Sequence, residues 1–438
     1  MNLMSIQLTT PINRGLAETL SREKNEPDWV AQLRAEAAER AGELEWPKPE
    51  KTRLDRWNLD AFGVYKQTAR IARLGELPAE VRELVPAEGG ALLVQRNSGA
   101  AYVREAEELK SKGVIFTDLE TACREHADLV KPYLFQAVDP FENRLNALHA
   151  ALWNGGAFVY VPKNVEVELP LQAIYFRDDA EASFAPHIVI VAEKGSSVTY
   201  VDYAITPGEG GAAPFIHHSV IEAFVKPGAR VRVASVHHMS DQGIDMTNRR
   251  AIVEQDGRIE WIIGDLHDGN TLTETQSLLQ GQGSSSDAKV ISIGLGQQRM
   301  SLTTRAVHIG RSSTSSMVTR AVMKDEATAI INGVTKIEKG ATKANGEQTE
   351  KVLMLSPKAR GDANPILLID EDDVKAGHAA SVGQVNADQV YYMMSRGISK
   401  EEAERLIIYG FLAPVVSEVP MEAVRSQLQR LLERKLIV

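Results

Sequence analysis

One cysteine, Cys123, is all that the 438 residues contain. No intrachain disulfide can form, and no metal cage made of several thiolates can be built from this chain alone. Aromatic residues supply only 6% of the sequence while glycine occurs 32 times, a balance that favours many tight turns over a large aromatic core. Basic charge is in the minority, with 49 Lys and Arg against 59 Asp and Glu and a formal net charge of −10. A nucleic acid or an anionic membrane would need a basic face, so neither is expected as a partner. No apolar run approaches the roughly 18 residues of a membrane-crossing helix. Met1 to Thr10 carries neither a basic segment nor a long apolar one, so export is not expected and a cytoplasmic location is. Common catalytic signatures are missing too: there is no P-loop, serine elbow, paired-histidine zinc helix or C-x-x-C. The nearest stretch to a P-loop, Gly340-Ala341-Thr342-Lys343, lacks the phosphate cradle, so no nucleotide is expected on this chain.

What is present falls into three regions. Residues 14 to about 44 read as helix, with Ala31, Leu33, Ala35, Ala37 and Ala38 set among Glu, Arg and Gln, until Trp46-Pro47-Lys48-Pro49 breaks the pattern. Thr117-Asp118-Leu119-Glu120 has capping-box order and predicts a helix carrying Cys123 and His126. A further helix is expected from about Asp139 to Asn154, stopped by Gly155-Gly156. The expected N-terminal helical and mixed region is therefore 1–156. From 157 to 370 short β-runs take over, such as Phe158-Val159-Tyr160-Val161, Ile188-Val189-Ile190-Val191 and Arg230-Val231-Arg232-Val233. Gly195, Gly228, Gly257, Gly283, Gly310 and Gly340 punctuate them at intervals of roughly 30 residues. Repeats of that length with two or three strands each predict a β-solenoid, whose stacked coils share one core. A β-sandwich with a long insertion is the alternative. After Ile369 the pattern turns helical, making 371–438 the expected C-terminal region. Asn386 with Gln389, and Ser399 with Glu402, are capping-box pairs. Ala403, Leu406, Ile407, Gly410 and Phe411 form one apolar stripe, which Pro414 is expected to end. A last amphipathic helix, 421–435, carries Val424, Leu428, Leu431 and Leu432 on one side.

Candidate chemistry rests mainly on histidine. His217-His218 and His237-His238 are adjacent pairs, and neighbours on a strand face opposite sides, so neither pair can chelate one ion by itself. One member of each pair could stack in successive coils, although a purely structural role is the plainer expectation. Cys123 and His126, three apart on a helix, could share a face, but two ligands make a poor metal site and a lone cysteine is commonly a small buried hydrophobe. Asp265 and Asp268 sit in a turn-like segment and are expected to form the turn rather than an acid pair. His378 follows Asp370-Glu371-Asp372-Asp373 and could offer a neutral imidazole to a soft or borderline metal, or bond a turn carbonyl.

The segment from His378-Ala379-Ala380-Ser381-Val382-Gly383 through Gln389-Val390-Tyr391-Tyr392-Met393-Met394-Ser395-Arg396-Gly397-Ile398 to Glu402-Ala403, Leu406-Ile407 and Gly410-Phe411 resembles the C-terminal motif of the SufB/SufD family of iron–sulfur cluster assembly proteins. Its opening is more similar to the SufD branch than to SufB. The resemblance implies a mainly β protein, a right-handed parallel β-helix core flanked by helical N- and C-terminal regions. It also implies a non-enzymatic scaffold subunit joined to a SufB-like subunit and to a SufC-like ABC-type ATPase, which would carry the ATP hydrolysis. A homodimer is possible when the SufB-like partner is absent. On the family pattern the metal and cofactor ligand is His378, toward iron or an iron–sulfur cluster held transiently and shared with a partner. Arg396, Gly397, Ala403, Leu406, Ile407 and Phe411 fall in the helices that would dock the ATPase. Some relatives carry a cysteine two residues before the histidine, where this chain has Ala376, so any thiolate at that spot must come from a partner. The resemblance leaves Cys123 without a role. Two other readings follow from the solenoid and histidines alone: a carbohydrate-active β-helix enzyme, and a standalone histidine-based iron-binding protein.

Overall fold

The chain winds into two parallel sheets that face each other, with successive strands alternating between them. This computed structural model describes residues 5–8, 11–59, 61–85 and 90–436. Residues 1–4 and 9–10, part of the stretch read for a leader, lie outside the described residues. One sheet has nine strands and the other ten, and over most of the solenoid each strand pairs in parallel with the one two further along the chain. The register is long and continuous: Phe215–Val225 lies along Gly243–Val253, and Thr328–Ile337 along Arg360–Ile369. Every second residue therefore points between the sheets. Ile221, Ala223 and Val225 meet Val231, Val233 and Trp261 there in one apolar core.

Over the early rungs the outward faces are buried as well, which is why strands such as His187–Ala192 read as unbroken apolar runs, whereas farther along, as in Asn270–Leu279, outward residues are partly exposed. Helices of the N-terminal region cover the nine-stranded sheet, where Leu148 and Trp153 pack with Val189, Phe224 and Met246. Helices of the C-terminal region cover the ten-stranded sheet, where Ile408, Leu412, Leu428 and Leu432 pack with Val236, Ile262 and Val322. The N-terminal layer is held by a buried ionic knot. Glu26 accepts from Arg34 at 2.7 Å and lies 3.2 Å from Lys24, and both cations also donate to the Trp153 carbonyl. Burial pushes the Glu26 carboxyl up, but Arg34 and Lys24 outweigh it and hold it at about 2.

The ends of the solenoid differ. At the start, Ile115–Asp118 pairs antiparallel with Gly156–Val161, and Gly99–Arg104 pairs antiparallel with Leu92–Arg96, so both sheets begin under a reversed strand. At the finish, Arg360–Ile369 and Lys375–Gln384 are the last members of their sheets, each with one edge unpaired.

Several sequence expectations change in detail. The helix expected over 14–44 is two, Arg14–Glu23 and Asp28–Ala41, because Asn25 turns left-handed ahead of Pro27. Asp118, not Thr117, caps Leu119–Glu125 by accepting from Thr121 N. The helix expected from about Asp139 starts at Arg144, capped by Asn143. Strand structure does not stop near 370: Lys375–Gln384 adds one more rung, and helix begins only at Ala387. Pro414 lies inside Lys400–Val416 rather than ending it. Four of the six punctuating glycines, Gly195, Gly228, Gly283 and Gly340, have positive φ, whereas at Gly257 the left-handed position falls on Asp256.

Candidate functional site

The open end of the solenoid carries His378. Its strand, Lys-Ala-Gly-His-Ala-Ala-Ser-Val-Gly-Gln, offers little apolar bulk, and it is placed by ten register pairs with Asn345–Met354 rather than by packing. His378 stands opposite Gln348. Register partners share a face, and Gln348 is buried between the sheets with its Oε1 accepting from Thr335 Oγ1 at 2.8 Å, so the imidazole lies on the inter-sheet side. His378 is exposed because no rung follows to cover it. One rung below, Gln348 Nε2 and Glu350 Oε2 are buried with no hydrogen-bond partner. Burial pushes the Glu350 carboxyl up to about 7. Gly333 makes the room, since a Cβ there would fall 1.8 Å from Glu350 Oε1. The acidic run before His378 is used elsewhere. Glu371 turns back to accept from Gly340 N at 3.0 Å, and the Asp373 carbonyl accepts from Lys343 N at 2.6 Å.

The two helices after this strand present a second surface. Asn386 caps Ala387–Ser395 through Asp388 N and Gln389 N, and Ser399 caps Lys400–Val416 through Glu402 N, which is the N-cap half of each expected pair; the Glu402 carboxylate accepts from Arg405. The apolar stripe divides. Ala403 is buried, but the residues that seat the longer helix on the ten-stranded sheet are Ile408, Leu412 and Val415. Leu406, Ile407 and Gly410 instead line a shallow groove with Tyr392 and Met393 of the shorter helix. Leu406 is 44% exposed, and beside it Tyr391 and Tyr392 reach 74% and 59%. Phe411 is half-buried, and its carbonyl accepts from Arg320. Arg396 and Gly397 form the turn between the helices, with Gly397 at φ +85°.

The other sequence candidates separate. Cys123 is buried, and burial followed by the nearby Glu26 charge pushes its thiol well up; His126 caps the end of the helix and lines a different cavity. Asp265 pairs with Arg249 between the sheets, whereas Asp268 meets Lys435 on the outside, so they make no acid pair. Of the histidine pairs, His217 and His237 turn inward and meet on Asp245, facing each other across one coil rather than stacking in successive ones. His218 turns outward, its ring 4.7 Å from that of His149. There His149 contacts His187 at 3.0 Å and His187 contacts Glu222 at 2.9 Å. Glu222 also accepts from the backbone of Phe135, Ala137 and Val138. Sequence reasoning missed Glu222, Asp245 and Glu350. The only available signal was a polar residue at an inward or covered position of an apolar strand.

A two-sheet solenoid, closed by reversed strands at one end, open at the other and clothed by helices, defines the parallel β-solenoid class of protein. Comparison with known sequences then gives the lineage: the chain matches the SufBD core domain of SUF-system FeS cluster assembly over residues 175–411 and the SufBD N-terminal region over residues 91–173. It is 46% identical over 437 residues to the iron–sulfur cluster assembly protein SufD of Bacillus subtilis, covering 99% of this chain and 100% of that one. It is 29% identical over 427 residues to an iron–sulfur cluster assembly SufBD family protein of Staphylococcus saprophyticus, covering 93% and 90%. A Staphylococcus aureus protein of the same description is 29% identical over 425 residues, with the same coverage. The chain belongs to the SufBD family of iron–sulfur cluster assembly proteins. No helix among the described residues is long and apolar enough to cross a membrane.

Proposed function

We propose that this chain is the non-catalytic scaffold subunit of a cytoplasmic iron–sulfur cluster assembly complex. Its open end coil joins a SufB-like subunit, and its helix pair at 387–416 docks a SufC-like ATPase. The observation that carries this reading is the uncovered last rung. Two unpaired strand edges, with Leu368, Ile369 and Val382 exposed beside them, are suited to strand addition by a homologous solenoid. His378 then faces the junction, where an imidazole suits iron or a cluster that is passed on as cargo. Thiolate ligands and sulfur come from the partner, because the one cysteine is buried in the N-terminal layer. The groove of Tyr392, Leu406 and Ile407 fits an apolar partner surface, and ATPase closure there would pull on helices seated against the solenoid.

The test is iron and acid-labile sulfide on the anaerobically purified, co-expressed three-component complex. His378→Ala is expected to assemble yet lose cluster, and full cluster in that variant overturns the site. Leu406→Asp is expected to leave the melting temperature nearly unchanged, because the side chain is exposed, while releasing the ATPase from a pull-down. Retention of the ATPase overturns the docking surface.

A further inference from the structure

We propose that His217, Asp245 and His237 form a binding site for one divalent transition-metal ion, Zn2+ or Fe2+, sealed between the two sheets and distinct from the end coil. His217 and Asp245 are register partners on neighbouring strands of the nine-stranded sheet, and His237 faces them from the ten-stranded sheet. His217 Nδ1 lies 2.9 Å from Asp245 Oδ1, and His237 Nδ1 lies 2.8 Å from Asp245 Oδ2. The three ligand atoms lie within 4.8 Å of one another. A tetrahedral ion with bonds of about 2.0–2.1 Å holds its ligand atoms roughly 3.3–3.5 Å apart, a spacing within reach of small rotations of the two rings. All three ligands sit on paired strands, so the backbone is already fixed.

Buried polar atoms here remain unmet: His217 Nε2, on the ring edge away from the Nδ1 that faces Asp245, and Asp202 Oδ1 have no hydrogen-bond partner. Asp202 is opposite Ser235 in register, on the strand beside the one that bears His237, which puts a further carboxylate in the same interior outside the three-residue cluster. The neighbours behave as an outer shell: Thr247 Oγ1 donates to Asp245 Oδ1 at 2.7 Å, and Ser235 Oγ is 3.1 Å from His237 Nε2. His267 takes no part, its ring nitrogens facing the Met239 and Gly243 carbonyls. Asp202, Asp245 and Asp265 bring three carboxylates into this interior, where Arg249 pairs with Asp265, so a cation beside Asp245 is electrostatically welcome. Imidazole and carboxylate donors together select a borderline ion over Mg2+ or Ca2+.

The full chain should be expressed without a histidine tag in medium supplemented with Zn2+ or Co2+, then examined by native mass spectrometry and metal analysis. One ion per folded chain is expected, with the visible bands of tetrahedral cobalt in the Co2+ form. The ion should be lost in Asp245→Asn and His237→Gln and retained in His378→Ala. Wild type without an ion, or Asp245→Asn that keeps it, overturns the proposal. Loss in His378→Ala alone places the metal at the end coil and likewise overturns it. Should the interior variants misfold, X-ray absorption on the wild-type metal form decides: a shell with two imidazoles supports the site, and one without them overturns it.

Discussion

Glu26 sits where two buried cations converge, and its charge is needed to offset both. Its folded pKa of about 2 lies below the value of about 4.3 in an unfolded chain, so the stabilisation is present above about 4.3 and is lost as pH falls toward 2. The urea midpoint of the wild type should drop between pH 5 and pH 2.5. Glu26→Gln should lose about 3–5 kcal/mol at pH 7, because Arg34 stays buried without its counter-charge while Lys24 keeps only Glu120, and its pH slope in that window should flatten. Glu350 has the opposite sign. Its folded pKa of about 7 lies above the unfolded value, so its favourable contribution is complete below about 4.3 and disappears as pH rises through 7. Glu350→Gln should therefore be more stable than wild type at pH 8, by about 1 kcal/mol or more, and no more stable at pH 4. Thermal melts at the two pH values check this.

At the scale of elements, the helix Lys400–Val416 depends on Ser399 for its first turn. Ser399→Ala should cost about 1 kcal/mol locally. Faster amide exchange should appear in the first turn of that helix, while exchange at Leu412 and beyond stays unchanged, because that half is seated on the sheet. Both C-terminal caps were legible from sequence because capping is a local code of side chain and spacing. The solenoid was legible for a related reason: turn residues recur once per coil, and inward positions repeat with period two. The last strand was not. Ala376, Gly377, Ala379 and Ala380 supply no β-pattern of their own, and the strand exists because Asn345–Met354 beneath it provides a template. Pro414 was misjudged for the converse reason, since tertiary seating of Leu412, Val415 and Val416 carries the helix past a local breaker. The meeting of His217 and His237 on Asp245 belongs to the inter-sheet register, which no local motif records.

At the scale of the whole molecule, stability is graded along the solenoid. Middle rungs are paired on both edges and those such as Arg230–His238 are mostly buried, whereas Arg360–Ile369 and Lys375–Gln384 are paired on one edge and largely uncovered. Amides of Lys375–Gln384 should exchange much faster than those of Arg230–His238 in the isolated chain, and should become protected on binding the SufB-like partner. Equal protection before and after binding would count against an end-coil interface. The difference between the two ends also fixes how far such an assembly can grow. A rod able to join others at both tips would polymerise into a fibre, as a head-to-tail contact does when it fails to close. On the proposed reading a homologous solenoid adds in parallel at the end coil, whereas the strands at the start run reversed and offer no such parallel template. A contact confined to the end coil would stop growth at a pair.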